Sequence, residues 1–335
     1  MSLTRRVLLE LKYEGKDITQ KIENSLLSFS VNDVANSAID DVTISLEDKD
    51  HNWLNKFIVN EGDKIEMSAV SFNWNKPDEE YRVKFGTYFV DEPENSINPA
   101  LFNLKGISIP GTGNFRELKR TKPWKNIKVK GVITSIASRY GFGVVYDTKL
   151  NPTIKELEQS NEADFEFLQK LCNDNGLIIK MYRSKMIIFN EAEYENKKPV
   201  LTIKPSDCEG QISFNRTLTD CNYDKAVLKY KKKKGVVITA SYTRPGAKGD
   251  KTLNLTDSVD TQAEALNVCR TKLREKNKNA VKISFTLPGL ARIYASDVVK
   301  LEDVGQYNGL YYIDSKTQNF NPTSASFEAH KCLGY

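Results

Sequence analysis

The chain has 335 residues, which suggests two or three domains at roughly 150 residues each. Its 49 basic and 44 acidic residues give a net charge of +5, which is too mild for a protein built to coat a polyanion. Hydrophobic residues make up 39% of the sequence, enough for real cores, so wholesale disorder is not expected.

The sequence shows no evident targeting signal and no metal-binding motif. No run of about 18 apolar residues occurs, so a membrane-spanning helix is not expected. Glu10 and Lys12 interrupt the apolar stretch near the N-terminus, so a Sec signal peptide is not expected either. The 5 cysteines are widely spaced and there are 2 histidines, His51 and His330, which argues against a zinc site and a His-dependent hydrolase. Reduced thiols in a cytoplasm are therefore expected.

Residues 1–112 are predicted to form a β-rich domain. Apolar residues alternate with other residues in several short stretches, which places one side of each strand in a core. The alternating sets are Val7–Leu11, Leu27–Val31, Val42–Leu46, Ile65–Ala69, Val83–Phe85 and residues 101–109. Turn formers separate these stretches, a pattern typical of an antiparallel sandwich or barrel.

Residues 113–205 are predicted to form a smaller α+β domain. The polar and basic stretch GTGNFRELKRTKPWKN (111–126) is interpreted as an irregular linker. Val129, Ile133 and Ile136 have helical spacing, and Gly141 is a candidate for the end of that helix. A short strand is expected to follow.

A second helix and a hairpin complete this middle domain. The helix is predicted from an N-cap candidate at Ser160–Glu162 and an apolar stripe from Phe165 to Cys172. Gly176 is expected to end the helix. Residues 177–190 are predicted to form a β-hairpin that turns at Arg183-Ser184.

Residues 206–335 are predicted to return to β structure around one helix. Strand patterns cover residues 212–220, 226–242, 281–287, 298–314 and 324–332. Residues 243–260 are interpreted as a loop and residues 261–277 as the helix. The fold class is therefore mainly β of the α+β type, with β-rich domains at both ends and a small α+β domain between them.

Few residues suggest catalysis. Two acidic pairs, Asp40-Asp41 before a strand and Asp91-Glu92 after one, could act as the paired carboxylates of a glycosidase. Solvated turns and strand ends hold such pairs far more often, so that interpretation is favoured. Cys172 is interpreted as a core residue, because no histidine lies near it in sequence. The glycines at 111–113 and 141–143 lack the rest of a phosphate-binding or dinucleotide-binding loop.

Two further features could face a partner. Lys231–Lys234 could contact phosphate, but a solvated hairpin tip is favoured because no set of stacking aromatic residues accompanies the lysines. Trp124 either anchors a partner or docks the linker onto the following helix, and the sequence leaves both possibilities open.

One stretch goes beyond composition and periodicity. SNEADFEFLQKLCNDNGLIIKMYRSKMIIFNEAEYE (160–195) resembles the signature of the phage late control D family, the tail hub proteins of contractile phages and PBSX-type defective prophages. The family's acidic N-cap, Asp-x-x-Phe-Leu helix, terminating glycine and hairpin correspond to Glu162, Asp164, Phe167, Leu168, Gly176 and residues 177–189. Residues 41–54, 85–92 and 119–142 and the C-terminal part are similar to the family as well, so the resemblance spans nearly the whole chain.

This resemblance implies a structural protein rather than an enzyme. Each chain would carry two tail-tube-like β-barrel domains, at 1–112 and 206–335, with the α+β domain at 113–205 between them. Three chains would form a homotrimeric, pseudo-sixfold ring that joins a hexameric tail tube to a trimeric central spike. The ring would lie in the tail baseplate of a virion or a phage-tail-like bacteriocin, assembled in the bacterial cytoplasm.

The expected partners are copies of the chain itself, the tail tube protein, the central spike protein and other baseplate proteins. No membrane partner and no specific nucleic-acid binding are expected. No cofactor is expected, and no catalytic, cofactor-binding or metal-binding residue is assigned.

Two other functions stay open. The helix and strand over 124–146 have a LysM-like character, and carboxylates are abundant, so the chain could be a tail-associated protein that binds or hydrolyses peptidoglycan. A weaker alternative is a nucleic-acid-binding protein that uses Lys231–Lys234.

Overall fold

The computed structural model describes residues 4–74, 76–109, 115–182, 184–232 and 235–335, and its elements fall into three units. The N-terminal unit contains β1 (Arg6–Tyr13), β2 (Lys16–Asp17), α1 (Thr19–Ile22), β3 (Leu26–Val34), β4 (Asp41–Glu47), α2 (Asn52–Asn55), β5 (Lys64–Phe72), β6 (Glu80–Ile97) and β7 (Ala100–Ile107). Most of the alternating apolar residues predicted from the sequence lie on these strands and point into one core. Leu27 is an exception, because it is 39% exposed beside an irregularity in the β3–β4 pairing.

The middle unit packs two 11-residue helices and one short helix beside two small sheets. It contains β8 (Lys119–Lys128), α3 (Val129–Arg139), β9 (Gly143–Asp147), β10 (Thr153–Ala163), α4 (Asp164–Asp174), β11 (Leu177–Tyr182), β12 (Lys185–Asn190) and α5 (Glu191–Glu195). β11 and β12 form the predicted hairpin, and β9 adds to β12 in parallel. Ser184 lies at the turn as predicted, whereas Arg183 lies outside the described residues.

Two predictions for the middle unit are wrong. The stretch interpreted as an irregular linker contains β8, which pairs along its length with β10. Ser160–Glu162 lie within β10, so they do not cap α4, which begins after the extended residue Ala163 without a side-chain cap. Most side chains of both strands are exposed or half-buried, so the sequence lacks the apolar alternation that would announce them. The glycines at 111–113 lie outside the described residues.

A buried carboxylate links the two 11-residue helices of the middle unit. Asp164 lies in the first turn of α4, where a negative charge suits the helix dipole. Its carboxylate accepts hydrogen bonds from Arg139 at the end of α3, at 2.9 and 3.1 Å, and from Tyr140 at 2.7 Å. The Gln159 amide of β10 donates a further bond at 2.8 Å. This acidic residue, part of the family resemblance, therefore has a structural role.

The C-terminal unit combines strands of the main sheet with a small two-layer insertion. It contains β13 (Leu201–Ile203), β14 (Ser213–Arg216), β15 (Lys225–Lys231), β16 (Val237–Thr243), β17 (Thr252–Leu255), α6 (Gln262–Asn277), β18 (Val281–Pro288), β19 (Val298–Leu301), β20 (Gly309–Asn319) and β21 (Ser324–Lys331). β15, β16 and β17 form a separate sheet that α6 covers. β17 lies within residues 243–260, so their interpretation as a loop is wrong at that strand.

Strand β20 joins the two terminal units into one sheet. Its C-terminal half pairs antiparallel with β3, with Lys316 opposite Asp33 and Gln318 opposite Val31. Among the described residues, the resulting 13-stranded sheet runs from β14 through β18, β21, β20, β3, β4, β7, β6 and β5 to β1 and β2, and β19 and β13 extend it beside β20. The N-terminal and C-terminal units are thus hydrogen-bonded edge to edge.

The predicted fold class is confirmed: the chain is mainly β, with helices in the middle unit and in the insertion. Separate apolar cores fill the N-terminal, middle and C-terminal units. The domain boundaries at 112 and 205 stay a prediction, as does closure of the β units into barrels.

Gly176 allows a test of how the middle unit docks on α6. It follows α4 with a φ of +69°, and an added Cβ would lie 2.8 Å from the Thr271 Oγ1 of α6. Gly176→Ala is expected to cost about 1–2 kcal/mol for the left-handed backbone, plus a further loss from this clash. Urea unfolding measures both.

Gly141→Ala is the matched control. Gly141 follows α3 with a φ of +68°, but an added Cβ would meet nothing within 4 Å. Its cost should therefore be the backbone cost alone, and Thr271→Ala in the Gly176→Ala background should recover part of the difference. Equal costs at the two glycines would contradict the described contact with α6.

Candidate functional site

A cavity of about 410 Å³ lies where the three units meet. β3 and β20 contribute neighbouring strands, and β11 and β12 of the middle unit lie across them. Its walls are mostly aromatic and aliphatic, with a few charged groups, and they are formed by Val31, Asp33, Asp40, Phe85, Tyr88, Lys180, Tyr182, Ile187, Phe189, Tyr194, Tyr294, Ala295, Ser296, Lys316 and Gln318. A cavity of this size between structural units fits the usual description of a ligand site.

The strand register explains why these particular residues line the cavity. Side chains two residues apart on a strand point to the same face, so Val31 and Asp33 share one face of β3. Their partners on β20, Gln318 and Lys316, share the same face of the sheet. Residues nearly 300 positions apart in sequence therefore form one wall.

Lys180 ties the middle unit to the N-terminal unit at one end of the cavity. Its ammonium contacts Asp33 and donates hydrogen bonds to Asp40 at 3.0 Å and to the Val34 carbonyl at 2.8 Å. Asp40 also accepts from the Val34 amide at 2.9 Å. Burial raises the pKa of Asp40, Lys180 opposes that rise, and the result is a pKa of about 7.

Lys316 lies on β20, the strand that pairs with β3, and is 97% buried. The carboxylates of Asp33 and Asp297 attract its positive charge through space. Its ammonium donates to the Ala291 carbonyl at 2.5 Å and lies 5.2 Å from the centre of the Tyr294 ring. Burial lowers the pKa of Lys316 to about 8, and the two carboxylates offset part of that effect.

A second ion network joins α5, α6 and β21. His330 is fully buried, with Asp314 2.7 Å from Nδ1 and Glu195 3.1 Å from Nε2. Because both ring nitrogens face carboxylates, the imidazolium form satisfies both contacts by donating from each nitrogen. Arg274 of α6 also pairs with Glu195. Burial lowers the pKa of His330, but Asp314 and Glu195 outweigh it and raise the value to about 9.

Three members of this network have ligand types that a metal could use. Oxygen or nitrogen atoms of Glu191, Asp314 and His330 all lie within 4.8 Å of one another. Glu191, however, already pairs with Lys278 at 2.9 Å, and Arg274 lies 3.9 Å away. These cations supply the positive charge that a metal would bring, so the geometry favours a buried ion-pair network.

The features singled out in the sequence are scattered over the structure. Asp40 belongs to the Lys180 cluster, whereas Asp41 accepts from Asn32 and is separate from it. Asp91 and Glu92 lie inside β6, not after a strand as predicted, and they pair with basic side chains at 3.7 and 3.4 Å. The residues of the two acidic pairs thus have partners in different places and do not converge on one site.

Trp124 and Cys172 are core residues of the middle unit. Trp124 is 4% exposed and its ring is stacked with Phe167, so it docks its own segment and is not a surface anchor. Cys172 is fully buried, and burial raises the pKa of its thiol to about 12, as its interpretation as a core residue predicts.

Lys231 and Lys232 lie where β15 leads to the β16 hairpin, as predicted, and Lys232 pairs with Asp260 at 3.1 Å. Lys233 and Lys234 lie outside the described residues. Among the described residues, no helix is both long enough and apolar enough to cross a membrane.

Comparisons with known proteins point to phage tails. No protein-family model matches the chain. A probable baseplate hub protein of Escherichia phage 186 is 24% identical over 196 residues, which are 57% of this chain and 47% of that protein. The chain is similar in sequence to this baseplate hub protein. The predicted resemblance to phage tail hub proteins is therefore confirmed. The match also supports the expected location in a virion tail baseplate.

Solved structures show that the chain has the fold of phage tail proteins. A 43 kDa tail protein of prophage MuSo2 from Shewanella oneidensis is similar over 98% of this chain and 99% of its own, with a TM-score of 0.74 and 12% identity. A tail protein from Neisseria meningitidis is similar over 97% of this chain and 96% of its own, with a TM-score of 0.72 and 11% identity. An Escherichia coli component of the type VI secretion system is similar over 97% of this chain and 78% of its own, with a TM-score of 0.60 and 11% identity. That component is itself described as similar to T4 tail proteins.

Removing Lys180 should destabilise the folded chain strongly. Lys180→Met leaves Asp33 and Asp40 buried without their cation, which is expected to cost about 3–5 kcal/mol at pH 8. The cost should be smaller at pH 5, because protonated Asp40 carries no buried charge. Lys125→Met, which breaks the exposed pair with Glu156, should cost far less, because solvent screens that pair. Equal costs for the two variants in urea unfolding would contradict the role of Lys180.

His330 should make stability depend on pH. The pKa of His330 in the folded chain, about 9, lies above its ordinary value of 6.5, so protonation favours the folded state. This contribution is complete below about pH 6.5 and is lost as the pH rises to about 9.

The difference in unfolding free energy between the unmodified chain and His330→Gln should therefore fall by a few kcal/mol over that range. A pH-independent difference for His330→Gln would show that the ring is neutral when folded.

Proposed function

We propose that the chain is the structural baseplate hub of a contractile phage tail or a phage-tail-like bacteriocin, of the late control D type. Three copies form a pseudo-sixfold ring that joins the hexameric tail tube to the trimeric spike. Its partners are other copies of the chain, the tube protein, the central spike protein and further baseplate proteins. The hub acts through its interfaces and has no catalytic step.

The observation that carries this proposal is the pairing of β3 with β20. It places the N-terminal and C-terminal β units side by side as parts of one hydrogen-bonded sheet. A ring of three such chains would present six β units, which matches the symmetry of a hexameric tube. The similarity to the phage 186 hub protein supports the same role.

The ends of the sheet offer edges for contacts between chains. Among the described residues, β14 pairs with β18 on one side and is open on the other, and β1 is covered beyond β5 only by the two residues of β2. Exposed strand edges favour pairing with another chain. A closed ring would cover these edges without leaving new ones.

The buried carboxylates support a role without catalysis. Asp40, Asp164 and Glu195 are each held by basic side chains within their own unit or at a unit junction. Carboxylates whose oxygens are engaged by cations in this way fit a structural role better than general acid or base catalysis.

The mass in solution tests the ring. Light scattering on the chain alone, with the spike protein and with the tube protein should give a particle containing three copies of the 38.0 kDa chain, or three copies bound to one spike trimer. A chain that stays monomeric with both partners present would contradict the proposal. Lysis of bacterial cell walls in a zymogram, lost on changing one carboxylate, would contradict its non-catalytic part.

A further inference from the structure

The cavity at the junction of the three units has a chemical character that the hub function does not explain. Its volume of about 410 Å³ lies within the range of roughly 300–1,000 Å³ that is usual for small-molecule sites. Aromatic side chains dominate its walls, among them Phe85, Tyr88 and Phe189. A space of this size that is open to solvent at its rim can admit a small molecule.

Most polar groups in the walls already have their partners. An ammonium has three hydrogen atoms to donate, and Lys180 uses them on Asp33, Asp40 and the Val34 carbonyl. The second oxygen of Asp33 accepts from the Ala295 amide at 2.9 Å.

The Gln318 amide is also engaged on both sides. It donates to the Gly289 carbonyl at 3.0 Å and to the Ser324 carbonyl at 2.8 Å, and its oxygen accepts from the Ala291 amide at 3.2 Å.

Lys316 is the exception among these groups. Within the described part of the chain its buried ammonium donates one hydrogen bond, to the Ala291 carbonyl, and no carboxylate lies within ion-pair distance. Two donors on a desolvated cation are therefore left for an acceptor inside the cavity. A buried charge without a partner is costly, so an anionic group there would be bound favourably.

We propose that this cavity binds an organic carboxylate with an aromatic or branched aliphatic body, whose carboxylate accepts hydrogen bonds from Lys316. The body of the ligand packs against the aromatic walls. The rim gives access, since Tyr294 lines the cavity and is 41% exposed. The same chemistry belongs to a free small acid and to the C-terminal residue of another protein chain. The proposal does not depend on the hub function.

Three probes of one shape test the charge preference. Calorimetric titration of the full chain would compare 3-phenylpropionate, its neutral amide and 2-phenylethylammonium at pH 7. We expect the carboxylate to bind at least tenfold more tightly than the amide, and the ammonium to bind most weakly. Equal binding of the three probes, or no saturable binding of the carboxylate, would overturn the proposal.

Variants assign the preference to one residue. Lys316→Met should bind the carboxylate and the amide equally, whereas Lys282→Met, at an exposed lysine of β18, should keep the tenfold preference. Ala295→Leu adds bulk to the cavity wall without removing charge and should weaken all probes together. Melting curves identify any variant that does not fold. If Lys316→Met fails to fold, Ala295→Leu still tests the proposal, because unchanged binding of the probes by that variant would overturn it.

Two peptides separate the possible sources of the carboxylate. A five-residue peptide that ends in phenylalanine is compared with the same peptide bearing a C-terminal amide. Tighter binding of the free-acid peptide than of 3-phenylpropionate assigns the site to a chain terminus. Binding of 3-phenylpropionate without binding of the peptide assigns it to a free small acid.

Discussion

The antiparallel pairing of β3 with β20 is the contact on which the other features of the molecule depend. It connects strands that are nearly 300 residues apart and fixes which side chains share a face of the joined sheet. Because the side-chain period of a strand is two, a slip of one residue would turn Asp33 and Lys316 to the opposite face. That slip would remove the Lys180 cluster and the polar wall of the cavity together. One register therefore determines both the joint between units and the site.

The middle unit is held against the two joined β units by buried charges at two separate places. Lys180 of β11 reaches the carboxylates of the N-terminal unit, and Glu195 of α5 meets Arg274 and His330 of the C-terminal unit. Apolar replacements of similar shape could be as stable as such ion pairs, since desolvating the charges offsets most of their attraction. Their directionality is what hydrophobic packing lacks, because an ion pair with several hydrogen bonds allows one orientation of the two units.

The sequence predicts the parts of the fold that obey a simple period. The core strands of the N-terminal unit alternate apolar and polar residues, and helix α4 carries the stripe from Phe165 to Cys172, so both could be predicted. β8 and β10 escape prediction because they form a two-stranded ladder in which Trp124, Gln159 and Ala163 are the fully buried side chains. These strands contact the middle core through few residues, and their apolar residues do not alternate regularly enough to predict either strand.

The cavity could not be predicted for a different reason. Lys316 and Gln318 alternate with polar neighbours, so this half of β20 resembles a solvent-exposed strand. Asp40 likewise resembles an ordinary turn residue. Burial of these groups follows from the strand pairing and from the middle unit that covers it, and both are long-range properties. The resemblance in residues 160–195 could identify the kind of protein, because it depends on local order, but it carried no information about a pocket formed by distant strands.

The same constraint bears on how such a chain can assemble. Two β units joined through one pair of strands keep their outer edges, which lie at β14 and at β1, at opposite ends of the strand order from each other. A linear array of chains would leave an open edge at each end, whereas the proposed closed ring would pair the β14 and β1 edges of neighbouring chains. In such a ring the angle between successive β units would have to be fixed. The contacts of the middle unit at Lys180 and at Glu195 would help to fix that angle.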